Sequence, residues 1–318
     1  MTLPEGYRSR AVARDDLDAQ IELFQAADVA DVGFADPARD ELLETWGQPW
    51  FDLELDSLVV EAPDGSPVAY SETIAKDATV NIFAFAKVHP AHRGRGLGTF
   101  VAAAIEARAA EKVPAGTTAP LRNGFPSTDE AAATLFADRG YAHVRSFWHM
   151  ERAVAPGDAA PPDPDGITIR SCTPGDDERA AWAILEEAFK EHFGYEPFTF
   201  DEWLAMWSAF PSYDPSWMLL AVDGDEPVGV SIPLSSEEGV AWVGELGVLA
   251  PWRGRGIGMA LLRRSFAFLA AKGYTHVRLG VDTENTTGAT RLYERAGMSV
   301  RREFRVVERR IEGTAASS

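Results

Sequence analysis

The sequence predicts an α/β protein built twice over: two tandem domains, each a mixed, mostly antiparallel sheet flanked by helices. Three observations carry this. The chain has 318 residues, about twice the roughly 150 of an ordinary domain. The string Arg-Gly-Arg-Gly-x-Gly occurs at residues 93–98 and again at 253–258. The segments around the two strings also correspond at a nearly constant spacing, which is the mark of an internal repeat.

The correspondence runs through most of each half. Residues 10–16, 66–69 and 89–96 each match a segment 160 positions later, and residues 135–140 match 292–297 at a spacing of 157. Between the copies, residues 154–166 (VAPGDAAPPDPDG) are proline-rich and show neither helical nor strand periodicity. They read as an exposed linker. The expected division is therefore a first domain over 1–153, the linker over 154–166, and a second domain over 167–318.

Within each copy the elements follow one order. An opening strand (7–12; 167–172) leads through acid-rich turn residues to an amphipathic helical region. Two strands joined by an Asp-Gly turn follow (58–61 and 68–73; 218–222 and 228–233). A further apolar strand (80–88; 240–249) runs into the glycine string. The helix after the string carries Leu97, Phe100, Val101, Ala104 and Ile105 on one face, and in the second copy Ile257, Leu261 and Phe268. A strand at 277–281, a helix at 287–296 and a closing strand at 299–308 complete the second copy. Such alternation is that of a layered α/β sheet.

Bulk properties exclude several functions. The formal charge is −19, divided almost evenly as −10 through residue 152 and −9 beyond. That charge opposes nucleic-acid binding, which needs Lys and Arg to displace counterions from phosphate. It suits a cationic acceptor as well as simple solubility. The single cysteine, Cys172, allows no internal disulfide and fits a reducing compartment. No apolar run approaches the roughly 18 residues that span a bilayer, and residues 1–20 lack a signal-peptide core. The expectation is a cytoplasmic protein with no membrane or nucleic-acid partner, either monomer or homodimer.

The glycine string is the chemical centre of each copy. It follows an apolar strand and opens a helix. Glycines let backbone N–H groups approach an anion closely, and the helix start adds partial positive charge. Arg93, Arg95, Arg253 and Arg255 add fixed charge. A diphosphate is the natural ligand. Such a string alone is common, but in this setting, twice and in register, it is specific.

Residues 248–258 (VLAPWRGRGIG) resemble the coenzyme A pyrophosphate motif of the GNAT superfamily of N-acetyltransferases, and residues 88–98 resemble it equally. Asn285 and residues 291–298 (RLYERAGM) resemble that family's later motif. The tandem arrangement, with His192, Trp203 and residues 214–216, resembles mycothiol synthase-like actinobacterial tandem acetyltransferases. The resemblance implies acetyl-CoA as cofactor and acetyl transfer to a primary amine, with a small molecule as the expected acceptor. In the second copy it implies coenzyme contacts from Leu246, Gly247, Val248, Arg253, Gly254, Arg255, Gly256, Ile257, Gly258 and Asn285. In the first copy it implies them from Ala86, Lys87, Val88, Arg93, Gly94, Arg95, Gly96, Leu97 and Gly98.

The copies part where the chemistry is demanding. An amine with a pKa near 10 must lose a proton before it attacks, and the departing thiolate gains from a proton donor such as a phenol. Eight residues before the loop arginine the second copy has Glu245 and the first Phe85. Four residues before the late glycine the second has Tyr293 and the first Phe136. Glu245 reads either as a general base, directly or through water, or as a solvated strand residue. Tyr293 reads either as the thiolate's proton donor or as a helix aromatic that reaches water. Beside Trp242 and Leu246, partial burial would raise the pKa of Glu245. His192 and Trp203, within the aromatic-rich stretch 189–217, are candidates for the acceptor pocket, although such residues serve equally as helix cap and core. The leading expectation is an N-acetyltransferase whose second domain is catalytic. The alternatives are a non-catalytic acyl-CoA sensor and a protein or peptide N-acetyltransferase.

Overall fold

The computed structural model describes residues 2–314 apart from 36–38, 211–212, 236–238 and 286. In chain order the elements are β1 (Arg8–Arg10), α1 (Leu17–Val32), α2 (Arg39–Gly47), α3 (Leu53–Asp56), β2 (Ser57–Glu61), β3 (Pro67–Ile74), β4 (Ile82–Val88), α4 (Leu97–Lys112), β5 (Thr118–Pro126), α5 (Glu130–Asp138) and β6 (Ala142–Ala153). The second copy continues with β7 (Ile167–Ser171), α6 (Glu178–Phe189), α7 (Phe200–Ser208), β8 (Leu219–Asp223), β9 (Glu226–Ser235), β10 (Val240–Val248), α8 (Ile257–Ala271), β11 (His276–Asp282), α9 (Ala289–Arg295) and β12 (Ser299–Glu312).

The chain forms two compact units, and their borders correct the expected division. One unit comprises the chain up to Ser146 together with the segment from Arg302 onward; the other is Phe147–Arg301. The cause is an exchange of closing strands. The chain's last strand, β12, pairs antiparallel with β5 of the first unit from Phe304↔Pro126 to Glu312↔Thr118. The first copy's last strand, β6, pairs with β11 of the second unit, from His276↔Ala153 to Asp282↔Phe147. Duplicated copies offer two nearly equivalent sheet edges, so hydrophobic alternation does not reveal which closing strand joins which edge.

The strand order is β1-β2-β3-β4-β5-β12 in the first unit and β7-β8-β9-β10-β11-β6 in the second. All pairs are antiparallel except β4/β5 and β10/β11, which are parallel. In the second unit α8 packs Leu262, Phe266 and Leu269 against Val277 and Leu279 on one sheet face. On the other face α6 and α7 pack Ile184, Leu185, Trp203 and Trp207 against Val230 and Ile232. Full burial of a side chain the size of Phe266 contributes roughly 1.5–3 kcal/mol. The first unit repeats these layers, with Ile105 of α4 on Ile82 and Leu121, and Leu23 and Phe24 of α1 on Val59 and Tyr70.

Residues 154–166 form no helix or strand, as expected, but they are anchored rather than free. Arg264 of α8 makes an ion pair with Asp163 at 2.7 Å and donates to the Pro161 carbonyl. Among the described residues no helix is long and apolar enough to cross a membrane.

Candidate active site

The site of the second unit is opened by a local failure of strand pairing. β10 and β11 are registered only from Val240↔His276 to Trp242↔Arg278, so the six residues 243–248 at the end of β10 run on without a parallel partner. A bulge lies between Val243 and Glu245 in the pairing with β9, and bulges bend a strand and re-aim its side chains. Gly244 sits in that bulge. A Cβ there would stand 3.0 Å from both Trp207 and Leu234, so a larger residue would force the α7 core to give by a few tenths of an ångström.

The gap opens into a cavity of about 620 Å³. At one end lies the glycine string. Gly254 and Gly256 adopt left-handed φ of +80° and +83°, which glycine adopts at no steric cost, and α8 starts directly after them. A Cβ at either would meet nothing within 4 Å, so the space over the loop is free for a bulky anion. Arg253 Nε donates to the Val248 carbonyl at 3.0 Å, and its Nη2 reaches the Ala188 carbonyl at 3.5 Å. Neither partner is charged, so the guanidinium charge remains for an anionic ligand. Together these features fit the pyrophosphate of a coenzyme A.

Leu246, Gly247, Val248, Arg253, Gly254, Gly256, Ile257, Gly258 and Asn285, expected from the sequence as coenzyme contacts, all line the cavity. Arg255 departs from that expectation. It makes an ion pair with Asp223 at 2.9 Å and donates to the Asp165 carbonyl, away from the cavity wall.

Glu245 and Tyr293 reach the gap from opposite sheet faces. Glu245 stands opposite Ile232, on the face that packs against α6 and α7. Tyr293 packs with Leu262 and Phe266 on the α8 face and is 8% exposed. Both line the cavity. Burial pushes the Glu245 carboxyl up to about 7. Burial, and secondarily the charge of Glu245, also raises the Tyr293 hydroxyl above its ordinary value. The second effect places acid and phenol within electrostatic reach of one another. The site thus has a carboxyl poised between its two protonation states near neutral pH, and a phenol that keeps its proton there.

Sequence reasoning placed two further residues near the acceptor, and the structure separates them. His192 lines the cavity. Its ring packs edge-on against Phe189 at 4.3 Å, and burial, opposed by Asp282 and aided by Arg253, lowers its pKa. Trp203 does not line the cavity. It is buried in the α6/α7 core between Phe200 and Trp207, so its expected place in the acceptor pocket is corrected. The core claims it because it shares one helix face with Trp207, four residues on.

Phe147 and Asp282, cross-strand partners on β6 and β11, also line the cavity. Neither was foreseen. Asp282 ends a legible apolar strand, but Phe147 reaches the site only through the strand exchange.

Known proteins share this architecture. The acetyltransferase (GNAT) family matches residues 179–298. Two proteins named mycothiol acetyltransferase, from Salinispora arenicola and Salinispora tropica, are each 32% identical over 251 residues, covering 76% of this chain and 78% of their own. The crystal structure of a GCN5-related N-acetyltransferase from Sphaerobacter thermophilus superposes with a TM-score of 0.84 at 35% identity, covering 99% of both chains. A tandem GNAT protein from the clavulanic acid biosynthesis pathway shares the fold at a TM-score of 0.75 and 17% identity, over 97% of this chain and 99% of its own.

Proposed function

The chain belongs to the GNAT family of acetyl-CoA-dependent N-acetyltransferases, and we propose that the unit Phe147–Arg301 performs the transfer, with Glu245 as general base and Tyr293 as general acid. The observation that carries the proposal is a carboxyl pushed up to about 7 beside a buried phenol in one cavity. Among the described residues neither side chain has a hydrogen-bonding partner. Both face the cavity, and a module that only bound coenzyme would need neither.

Acetyl-CoA, when bound, supplies an acetyl group activated as a thioester. The glycine string and Arg253 hold its pyrophosphate, and residues 246–248 with Asn285 line its path toward the gap. Glu245 takes a proton from the acceptor's amine as the N–C bond forms. Tyr293 gives its proton to the sulfur as the C–S bond breaks. The acceptor enters from the α6 side, where Phe189, His192 and Phe193 form the wall. The wall's size and its aromatic lining support a small-molecule amine. The relatives named mycothiol acetyltransferases put mycothiol-related amines first among those to test.

The test is release of coenzyme A over a panel of amines. Glu245→Gln should lower kcat by about 10²–10⁴, the usual contribution of a positioned base, and Tyr293→Phe should lower it less, both with acetyl-CoA affinity retained. Full turnover in both variants would remove these roles.

A further inference from the structure

The first unit carries the same glycine string as the second, with the same open space over Gly94 and Gly96, but its arginine is engaged differently. Arg93 occupies the position of Arg253 and makes the same bond from Nε to a strand carbonyl, that of Val88 at 3.2 Å. Its two terminal nitrogens do not face open space. They grip Asp31, with Nη1 to Oδ1 at 2.5 Å and Nη2 to Oδ2 at 2.9 Å. This bidentate pairing is the strongest contact an arginine makes with an oxyanion, and the Asp31 side chain is only 6% exposed.

Helix length explains why only one copy has this clasp. α1 stays helical through Val32, which holds Asp31 on its last turn over Arg93. α6 ends at Phe189, three residues earlier in the repeat register. Glu191, the residue that corresponds to Asp31, lies beyond the helix and exposed, while His192, Phe193 and Tyr195 turn in to line the cavity.

Two further differences act in the same direction. The parallel pairing of β4 with β5 runs from Ile82↔Leu121 to Ala84↔Asn123. That leaves four residues, 85–88, beyond the last pair, where the second unit leaves six. Lys87, at the position of Gly247, is buried in an ion pair with Asp28 of α1 at 2.7 Å. In the second unit the same contact is made by small groups, with a Cβ on Gly247 standing 3.3 Å from that of Ala188.

We infer that the arginine of the first loop, held by the chain's own Asp31, is withdrawn from pyrophosphate binding, and that the protein therefore binds a single acetyl-CoA, in the second unit. The motif of the first copy is kept as a strand-to-helix turn whose arginine ties α1 to the sheet. This rests on the proposed role of the second unit as coenzyme site.

Calorimetric titration of the full chain with acetyl-CoA tests it. The expected stoichiometry is one. Arg93→Gln should leave both stoichiometry and Kd within about twofold, whereas Arg253→Gln should weaken the single isotherm by tenfold or more, as the loss of a charge-assisted contact does. A stoichiometry of two overturns the inference and leaves the catalytic assignment standing. One undiminished site in Arg253→Gln, lost instead in Arg93→Gln, overturns both. If Arg93→Gln fails to fold, Asp31→Asn in a chain that also carries Arg253→Gln serves instead. Tight coenzyme binding appearing only when Asp31 loses its charge supports the inference, and no recovery overturns Asp31 as the blocking group.

Discussion

The two copies place acid groups on the same pair of strands and use them in opposite ways. In the second, Glu245 stands on β10 opposite Ile232 of β9, unpartnered among the described residues and facing a cavity. In the first, the corresponding pair is Phe85 on β4 opposite Glu72 on β3, so the carboxylate has crossed to the neighbouring strand. There Tyr70, itself accepting from Trp46 at 3.1 Å, donates to Glu72 at 2.6 Å, and Phe24 packs edge-on against both Tyr70 and Phe85. The phenol position differs likewise. Tyr293 opens on the gap, whereas Phe136 is stacked on Phe125 and packed against Tyr141. At these two positions, one fold has thus been resolved into a carboxylate satisfied by a neighbouring phenol and a carboxyl and phenol left for a substrate. Buried polar groups that are satisfied stabilise, and those left unsatisfied are available for chemistry.

The largest test of that contrast is thermodynamic. Lys87 and Asp28 have side-chain exposures of 8% and 9%, and stripping one partner from a buried ion pair costs about 3–5 kcal/mol because the other charge is stranded. Lys87→Ala should therefore lower the stability of the first unit by about that much, read as a shift of the first transition in urea. Asp223→Ala, which breaks the exposed Arg255–Asp223 pair of the second unit and the bond Asp223 accepts from the Trp252 indole, should shift stability far less, because solvent screens the pair. Equal shifts in the two variants would mean that the first unit is no more internally satisfied than the second.

A second test concerns protonation. The carboxyl of Glu245 is pushed up to about 7 by burial, and a base works only when deprotonated. In kcat/KM, which reports the free enzyme, Glu245 should therefore contribute about a tenfold fall per pH unit below 7, about a hundredfold by pH 5, in addition to the titration of the acceptor's own amine. Tyr293, raised above its ordinary value, stays protonated throughout that range and adds no falling limb. Phe85→Leu should leave the profile unchanged. A midpoint near the ordinary carboxylate value would mean that Glu245 is solvated and structural.

The sequence disclosed whatever is local in the chain. The strand–glycine–helix junction, the repeat spacing, and the presence of Glu245 and Tyr293 against Phe85 and Phe136 are all readable within a few residues of one motif. What failed was long-range. Asp31 meets Arg93 from 62 positions away, and no pattern within α1 announces that meeting. Trp203 was drawn to the pocket by aromatic density, but helical spacing from Trp207 puts it in the core. The closing strand at 299–308 was assigned to the second copy by its place in the chain, and nothing local distinguishes exchange from direct closure.

The exchange supplies the smallest predicted effect, and also the most specific. Phe147 and Phe304 are equivalent positions of the two closing strands. Phe147 pairs with Asp282 at the cavity of the second unit, while Phe304 pairs with Pro126 of the first. An aromatic contact of this kind contributes about 0.5–1.5 kcal/mol beyond its buried area. Phe147→Leu should therefore raise the acceptor's KM by roughly twofold to tenfold, with acetyl-CoA affinity unchanged, because β6 borders the gap on the face that receives the acceptor. Phe304→Leu should leave both constants unaltered. If the two variants behave alike, the strand from the first copy closes the second sheet without helping to recognise the acceptor. If only Phe147→Leu responds, the first half of the chain contributes to the reaction through the strand it lends, and not through the glycine loop it repeats.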